Sequence, residues 1–95
     1  MAKVQFIIAY EVADQHRQQY LQLVQEVLPL QNINDISYSV YEDDTRKNYF
    51  YEVYLYPSED AFEAADDAET PIQIETMMTL AKDHKVSYQT MKKLF

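Results

Sequence analysis

Residues 48–56, Asn-Tyr-Phe-Tyr-Glu-Val-Tyr-Leu-Tyr, constrain this chain more than any other stretch. Every position from Tyr49 to Tyr56 except Glu52 favours an extended strand. Alternation puts Tyr49, Tyr51, Val53 and Leu55 on one face and Phe50, Glu52, Tyr54 and Tyr56 on the other. A strand with one face in water alternates with polar residues, and this one does not. It needs cover on both sides.

The other segments supply that cover. Lys3 to Val12 reads as a first strand whose middle is also apolar on both faces. Asp14 is a plausible N-cap for a helix to about Leu28, with Tyr20, Val24, Val27 and Leu28 at helical spacing. Pro29, lacking an N–H, is expected to end it. Ile36, Tyr38 and Val40 alternate with Ser37, Ser39 and Tyr41, as in a half-buried strand. The charged turn 42–47 then joins it to the aromatic strand as an antiparallel hairpin. Ser58 can cap a helix opening with Glu59 and Asp60. Thr70, Pro71 and Gln73 form a second start signal, a capping box with Pro at the first helical position. Two helical pieces are therefore expected, about 59–68 and 71–82. The first buries Ala61, Phe62, Ala65 and Ala68; the second buries Ile74, Met77, Met78 and Ala81. Val86, Tyr88 and Thr90 alternate as a last strand.

The order β-α-β-β-α-β predicts an α+β, ferredoxin-like fold with an antiparallel sheet, residues 1–95 forming one domain. Strands apolar on both faces belong in the centre, which gives the sheet order 4-1-3-2. Right-handed crossovers put the helices on one face. The other face then exposes aromatic side chains, and its simplest cover is a second copy, a homodimer packed sheet to sheet.

Composition narrows the function classes. Sixteen Asp and Glu against eight Lys and Arg give a formal net charge of −8. That disfavours nucleic-acid and membrane-surface partners, which reward cationic contacts. Without cysteine there are no disulfides, thiolate ligands or thiol nucleophiles. Without glycine there is no phosphate-cradling loop or dinucleotide fingerprint. No run is apolar enough to span a membrane, and the start lacks a signal-peptide layout. A cytoplasmic protein is expected.

Three segments then combine into a family pattern. Ile36-Ser-Tyr-Ser-Val-Tyr-Glu-Asp43, Tyr49-Phe-Tyr-Glu-Val-Tyr54 and Ser58-Glu-Asp-Ala-Phe-Glu-Ala64 resemble the antibiotic biosynthesis monooxygenase family of dimeric α+β barrel proteins. The resemblance covers residues 34–65 and extends to the rest by element order. It implies a homodimer and a cofactor-independent oxidoreductase acting on a small aromatic or quinol compound. The chain has Tyr54 where that family often has Trp, and Ala65 and roughly Ile72 where it often has His. The Asn and His expected of the superfamily's haem degraders are not evident. A non-catalytic dimeric module that binds a small ligand or partner is the alternative.

Glu52 is the sharpest candidate for chemistry. Between Phe50 and Tyr54 on a central strand, its carboxylate can be desolvated and take up a proton; alternatively it meets a Tyr hydroxyl, Lys or Arg and is structural. Tyr54 shares the catalytic role, since a phenol can hydrogen-bond a substrate oxygen. Phe50, Phe62 and Met78, with Tyr54, are expected to line a small cavity between sheet and helices. No cofactor or metal is expected. His16 and His84 read as ordinary polar residues at element ends, without metal-ligand spacing. Glu59, Glu63, Asp66 and Asp67 read as a solvated helix face. Lys47 to Tyr54 partly resembles the third-strand aromatic signature of RNA-recognition motifs; the acidic balance argues against it.

Overall fold

β1 (Val4–Glu11), α1 (Arg17–Gln31), β2 (Ser37–Glu42), β3 (Tyr49–Tyr56), α2 (Glu59–Asp66), α3 (Ile72–Thr79) and β4 (Ser87–Lys92) follow one another in the computed structural model. It describes residues 2–66 and 68–95. The four strands form one antiparallel sheet, β2-β3-β1-β4, which is the expected order read from the other edge. The two strands apolar on both faces are the central pair. Register places Val4, Phe6, Ile8 and Tyr10 of β1 beside Tyr56, Tyr54, Glu52 and Phe50 of β3. This is the side the helices cover, and β3 alternates accordingly between buried and less buried positions. Tyr20, Val24 and Val27 of α1 and Ile74 and Met77 of α3 close the core over it.

Local capping departs from the sequence reading in several places. Asp14 does not cap α1. It opens a single 3-10 turn, Asp14–His16, and its carboxylate accepts a hydrogen bond from Asn48 Nδ2 at 3.1 Å. Pro29 does not stop α1, which continues to Gln31. Pro29 sits in the last turn and only the Gln25 carbonyl loses a partner there; both residues are exposed, so water can satisfy it. Asn32 ends the helix, its backbone N–H and side-chain Nδ2 both donating to the Leu28 carbonyl. The Ser58 cap forms as read, Oγ accepting from the Ala61 N–H at 3.1 Å. The capping box at Thr70 does not. Pro71 is itself the N-cap of α3, with an extended backbone and its carbonyl accepting from Ile74 and Glu75.

α3 is also shorter than expected. Ala81 leaves the helix to pair with Val12, and Lys82–His84 form a separate 3-10 turn. Ala68 is exposed rather than buried, and Asp67 lies outside the described residues. In a chain without glycine, left-handed backbone positions fall to Asn34, Asp35, Asn48, Asp83 and His84. Asn and Asp tolerate this region better than most residues. Among the described residues, no helix is long and apolar enough to cross a membrane.

Candidate functional site

Glu52 points from the centre of β3 toward the helices and is 0 % exposed. Its direct cross-strand neighbours, Ile8 on β1 and Val40 on β2, are apolar. Its polar partners come from the diagonals, where long side chains still reach. Tyr10, two residues along β1, donates its hydroxyl to Glu52 Oε2 at 2.7 Å. Tyr38, two residues along β2 in the other direction, donates to Oε1 at 2.7 Å. The Tyr20 hydroxyl of α1 lies 3.1 Å from that of Tyr10. A phenol has one proton to give. Since Tyr10 spends its proton on the carboxylate, Tyr20 donates to Tyr10.

Both oxygens of Glu52 are therefore occupied by phenols that are themselves buried. Burial pushes the Glu52 carboxyl above the ordinary value, and the Tyr10 and Tyr38 hydrogen bonds pull the other way without cancelling the effect. The phenols of Tyr10, Tyr38 and Tyr20 are raised, first by burial and then by the charge of Glu52, so they remain proton donors.

The other residues singled out from the sequence fall around this knot. Phe50 is buried against Tyr20, with ring centroids 4.4 Å apart, and Arg17 lies over its ring. Tyr54 is buried between Tyr38 and Tyr56, at centroid distances of 4.7 and 5.9 Å. Among the described residues its hydroxyl makes no hydrogen bond, and burial raises its phenol as well. Phe62 of α2 packs on Phe6 and Tyr56, and Met78 of α3 is half-buried against the same core. All four thus lie, with Glu52, on the helix-covered side. At its Glu52 end the space between sheet and helices is filled by Tyr10, Tyr20 and Tyr38. Toward β4 the cover thins: Phe6 is half-buried and stacks on Tyr88, which is 57 % exposed. Tyr54, 6.2 Å from Phe6, links that open side to the Glu52 network.

The two histidines stay apart from it. His16 sits in the 3-10 turn before α1 and His84 in the one before β4. Tyr10 and Tyr38, which hold Glu52, and Tyr20, which bonds to Tyr10, were legible as inward-facing aromatics. Their joining into one network depends on register and on where α1 lands, which residue type does not encode.

No family model and no curated protein matches the chain. Solved structures do. SnoaB from Streptomyces nogalater, described as a cofactor-independent oxygenase, superposes with a TM-score of 0.76 at 10 % identity over 98 % of this chain and 94 % of that one. The chain has the fold of the antibiotic biosynthesis monooxygenases. A structure described by that name matches with a TM-score of 0.71 at 13 % identity, over 97 % of this chain and 99 % of that one. A Bacteroides thetaiotaomicron protein of unknown function, described as a possible oxidoreductase, matches with a TM-score of 0.79 at 12 % identity, covering 97 % and 98 %. At such identities the likeness concerns the fold. The resemblance carried by residues 34–65 holds at that level.

Proposed function

We propose that this is a monooxygenase-like oxidoreductase that needs no cofactor, acts on a small aromatic or quinol compound, and works as a homodimer in the cytoplasm. The observation that carries this reading is the pairing of a sealed, proton-hungry Glu52 with Tyr54, a buried phenol whose hydroxyl is uncommitted. Substrate enters from the thinly covered Phe6 and Tyr88 side. Its ring packs against Phe62 and Met78, and Tyr54 donates a hydrogen bond to its oxygen. When the Tyr38 hydroxyl turns away from Oε1, Glu52 takes a proton from the activated C–H or O–H of the substrate. The carbanion left behind passes electrons to dioxygen. For an activated methylene, one oxygen atom becomes the product carbonyl and the other leaves as water.

The dimer follows from the opposite face of the sheet. Leu55 is 40 % exposed there and Met91 36 %, beside half-buried Tyr51 and Val53. A second copy is the cover that an apolar sheet face calls for.

One observation favours a second reading, a non-catalytic binding module: the Glu52 network is complete without a ligand. Oxygen consumption with a panel of quinols and anthrone-like phenols separates the two. Turnover that Glu52→Gln abolishes and Tyr54→Phe reduces supports the enzyme. No turnover, or turnover indifferent to both changes, supports the module. Light scattering at tens of micromolar tests the dimer, and a monomer there counts against it.

A further inference from the structure

On the helix-covered side, four aromatic rings close into a loop that the Glu52 chemistry uses only in part. Phe6 of β1 and Tyr54 of β3 are direct cross-strand neighbours, with ring centroids 6.2 Å apart. Tyr54 to Tyr56 is 5.9 Å, Tyr56 to Phe62 of α2 is 5.2 Å, and Phe62 back to Phe6 is 5.9 Å. Tyr54 and Tyr56 lie at 11° to one another, and Phe62 stands at 73° to Tyr56, as a wall to a floor. A group at the middle of a loop with such sides lies within about 6 Å of every ring centroid, the reach of a cation–π contact.

Core rings also pack in loops, but a core loop is sealed and this one is not. Phe6 and Phe62 are half-buried, and Tyr88, stacked on Phe6 at 6.1 Å, is 57 % exposed. α2, which carries Phe62, has no fully buried residue among those described, so this wall of the loop is lightly held. A second copy seated on the helix-free face leaves the opening clear. The field around it is negative. The Tyr54 phenol is raised first by burial and then by the charge of Glu52. The Tyr56 phenol is raised first by burial and then by Asp66, one helical turn beyond Phe62. A carboxylate therefore stands near each tyrosine of the loop. Lys92, at the end of β4, is paired with Glu59 at 2.8 Å, and that pair adds no net positive charge.

We propose that the four rings hold a quaternary or methylated ammonium group. Resting on the oxygenase reading, the substrate of the Glu52 site is then an aromatic compound that bears such a cation. Ring faces attract a cation through their quadrupole, and the attraction grows where water is excluded. Methyl groups suit an aromatic wall, and they leave few N–H donors that would need acceptors there. Glu52 and Asp66 add attraction at longer range, without a direct ion pair. The cation takes the ring faces, so the Tyr54 hydroxyl stays available to the substrate oxygen.

The test is titration of ¹³C-labelled protein with choline chloride at constant ionic strength, followed in aromatic proton–carbon spectra. The comparison probe is 3,3-dimethylbutan-1-ol, which has the shape of choline without its charge. Saturable shifts at the Phe6, Tyr54, Tyr56 and Phe62 rings are expected, with the uncharged probe weaker by about tenfold or more. Phe62→Leu keeps an apolar side chain and removes one ring face. It should weaken choline by about fivefold or more and change the uncharged probe by less than about twofold. Phe62 is only half-buried, so the fold should survive, and unshifted core amides check this. The comparison of the two probes on the unaltered chain needs no variant. No saturation below about 20 mM choline, the uncharged probe binding as tightly, shifts centred away from these rings, or indifference to Phe62→Leu each overturns the proposal. Oxygen consumption is measured separately. Choline binding without any oxygen uptake upholds the cation site and counts against the oxygenase alone. Uptake with uncharged quinols and no choline binding overturns the cation site and leaves the oxygenase reading standing.

Discussion

β3 makes a tyrosine–carboxylate hydrogen bond on each of its faces. On the helix side the Tyr38 hydroxyl donates to Glu52 at 2.7 Å, and on the helix-free side the Tyr51 hydroxyl donates to Asp43 at 2.7 Å. The two bonds match in length and chemistry, yet the carboxylates move in opposite directions. Asp43 is held down to about 2, first by the Tyr51 bond and then by the Thr45 donors of its turn. Glu52 is pushed above its ordinary value although two phenols donate to it. Solvent makes the difference. Donors stabilise the anion in both places, but only Glu52 has lost its water, and that loss outweighs two hydrogen bonds.

The largest break in this comparison comes from deleting the carboxylates. Glu52→Ala leaves two buried phenols without acceptors and a void beneath α1, and should cost about 3–5 kcal/mol. Asp43→Ala should cost clearly less, since water can replace the lost partner. Urea denaturation of the two variants checks the ranking.

Next come the donors. Tyr38→Phe and Tyr10→Phe should each cost about 1–2 kcal/mol and raise the Glu52 pKa further, since each removes a bond that opposes desolvation. Tyr51→Phe should raise Asp43 toward its ordinary value with little loss of stability. Carboxyl ¹³C titration reads all three.

The pH dependence sharpens the contrast with smaller effects. For Glu52 the folded pKa exceeds the unfolded one, so the folded state holds its proton more tightly. Its contribution is fully present below about 4.5 and falls as pH rises through the raised folded value. Asp43, and Glu42 held to about 2 by Arg17, have the opposite sign. Their stabilisation is present above their ordinary values of 3.8 and 4.5 and is lost as pH falls toward 2. Stability should therefore decline on both sides of a weakly acidic optimum, and Glu52→Gln should flatten only the neutral side. Urea midpoints followed from about pH 2 upward through neutral pH decide it.

The smallest effect on the folded chain should come from Leu55→Ser on the helix-free face, about 0.5 kcal/mol or less. Its consequence should appear in self-association, as a shift toward monomer in light scattering.

The sheet was legible because its evidence is redundant. Two-sided apolar patterns in β1 and β3 and one-sided patterns in β2 and β4 leave few strand orders. The faces of β3 followed from alternation, and Glu52 stood out as the one charge in an aromatic run. What failed were local start and stop signals and features whose partners lie far along the chain. Asp14 looks like a cap and bonds instead to Asn48, 34 residues on. Pro29 looks like a stop, but a proline in the last exposed turn removes a single bond. Thr70 yields to Pro71 because the proline backbone is already extended at the N-cap. The partners of Glu52 required knowing that Tyr10 and Tyr38 are its diagonal neighbours, a matter of register that their own local sequence does not carry.

The tyrosine network also makes the protein its own optical probe. The chain has nine tyrosines and no tryptophan, so near-ultraviolet absorbance and emission are dominated by phenols. The hydroxyls of Tyr10, Tyr20, Tyr38 and Tyr54 are held protonated well past the alkalinity at which a free phenol ionises. Their phenolate absorbance can then rise only when the core opens. An alkaline titration followed by absorbance is thus a folding experiment, in which these four chromophores report loss of the core without any label.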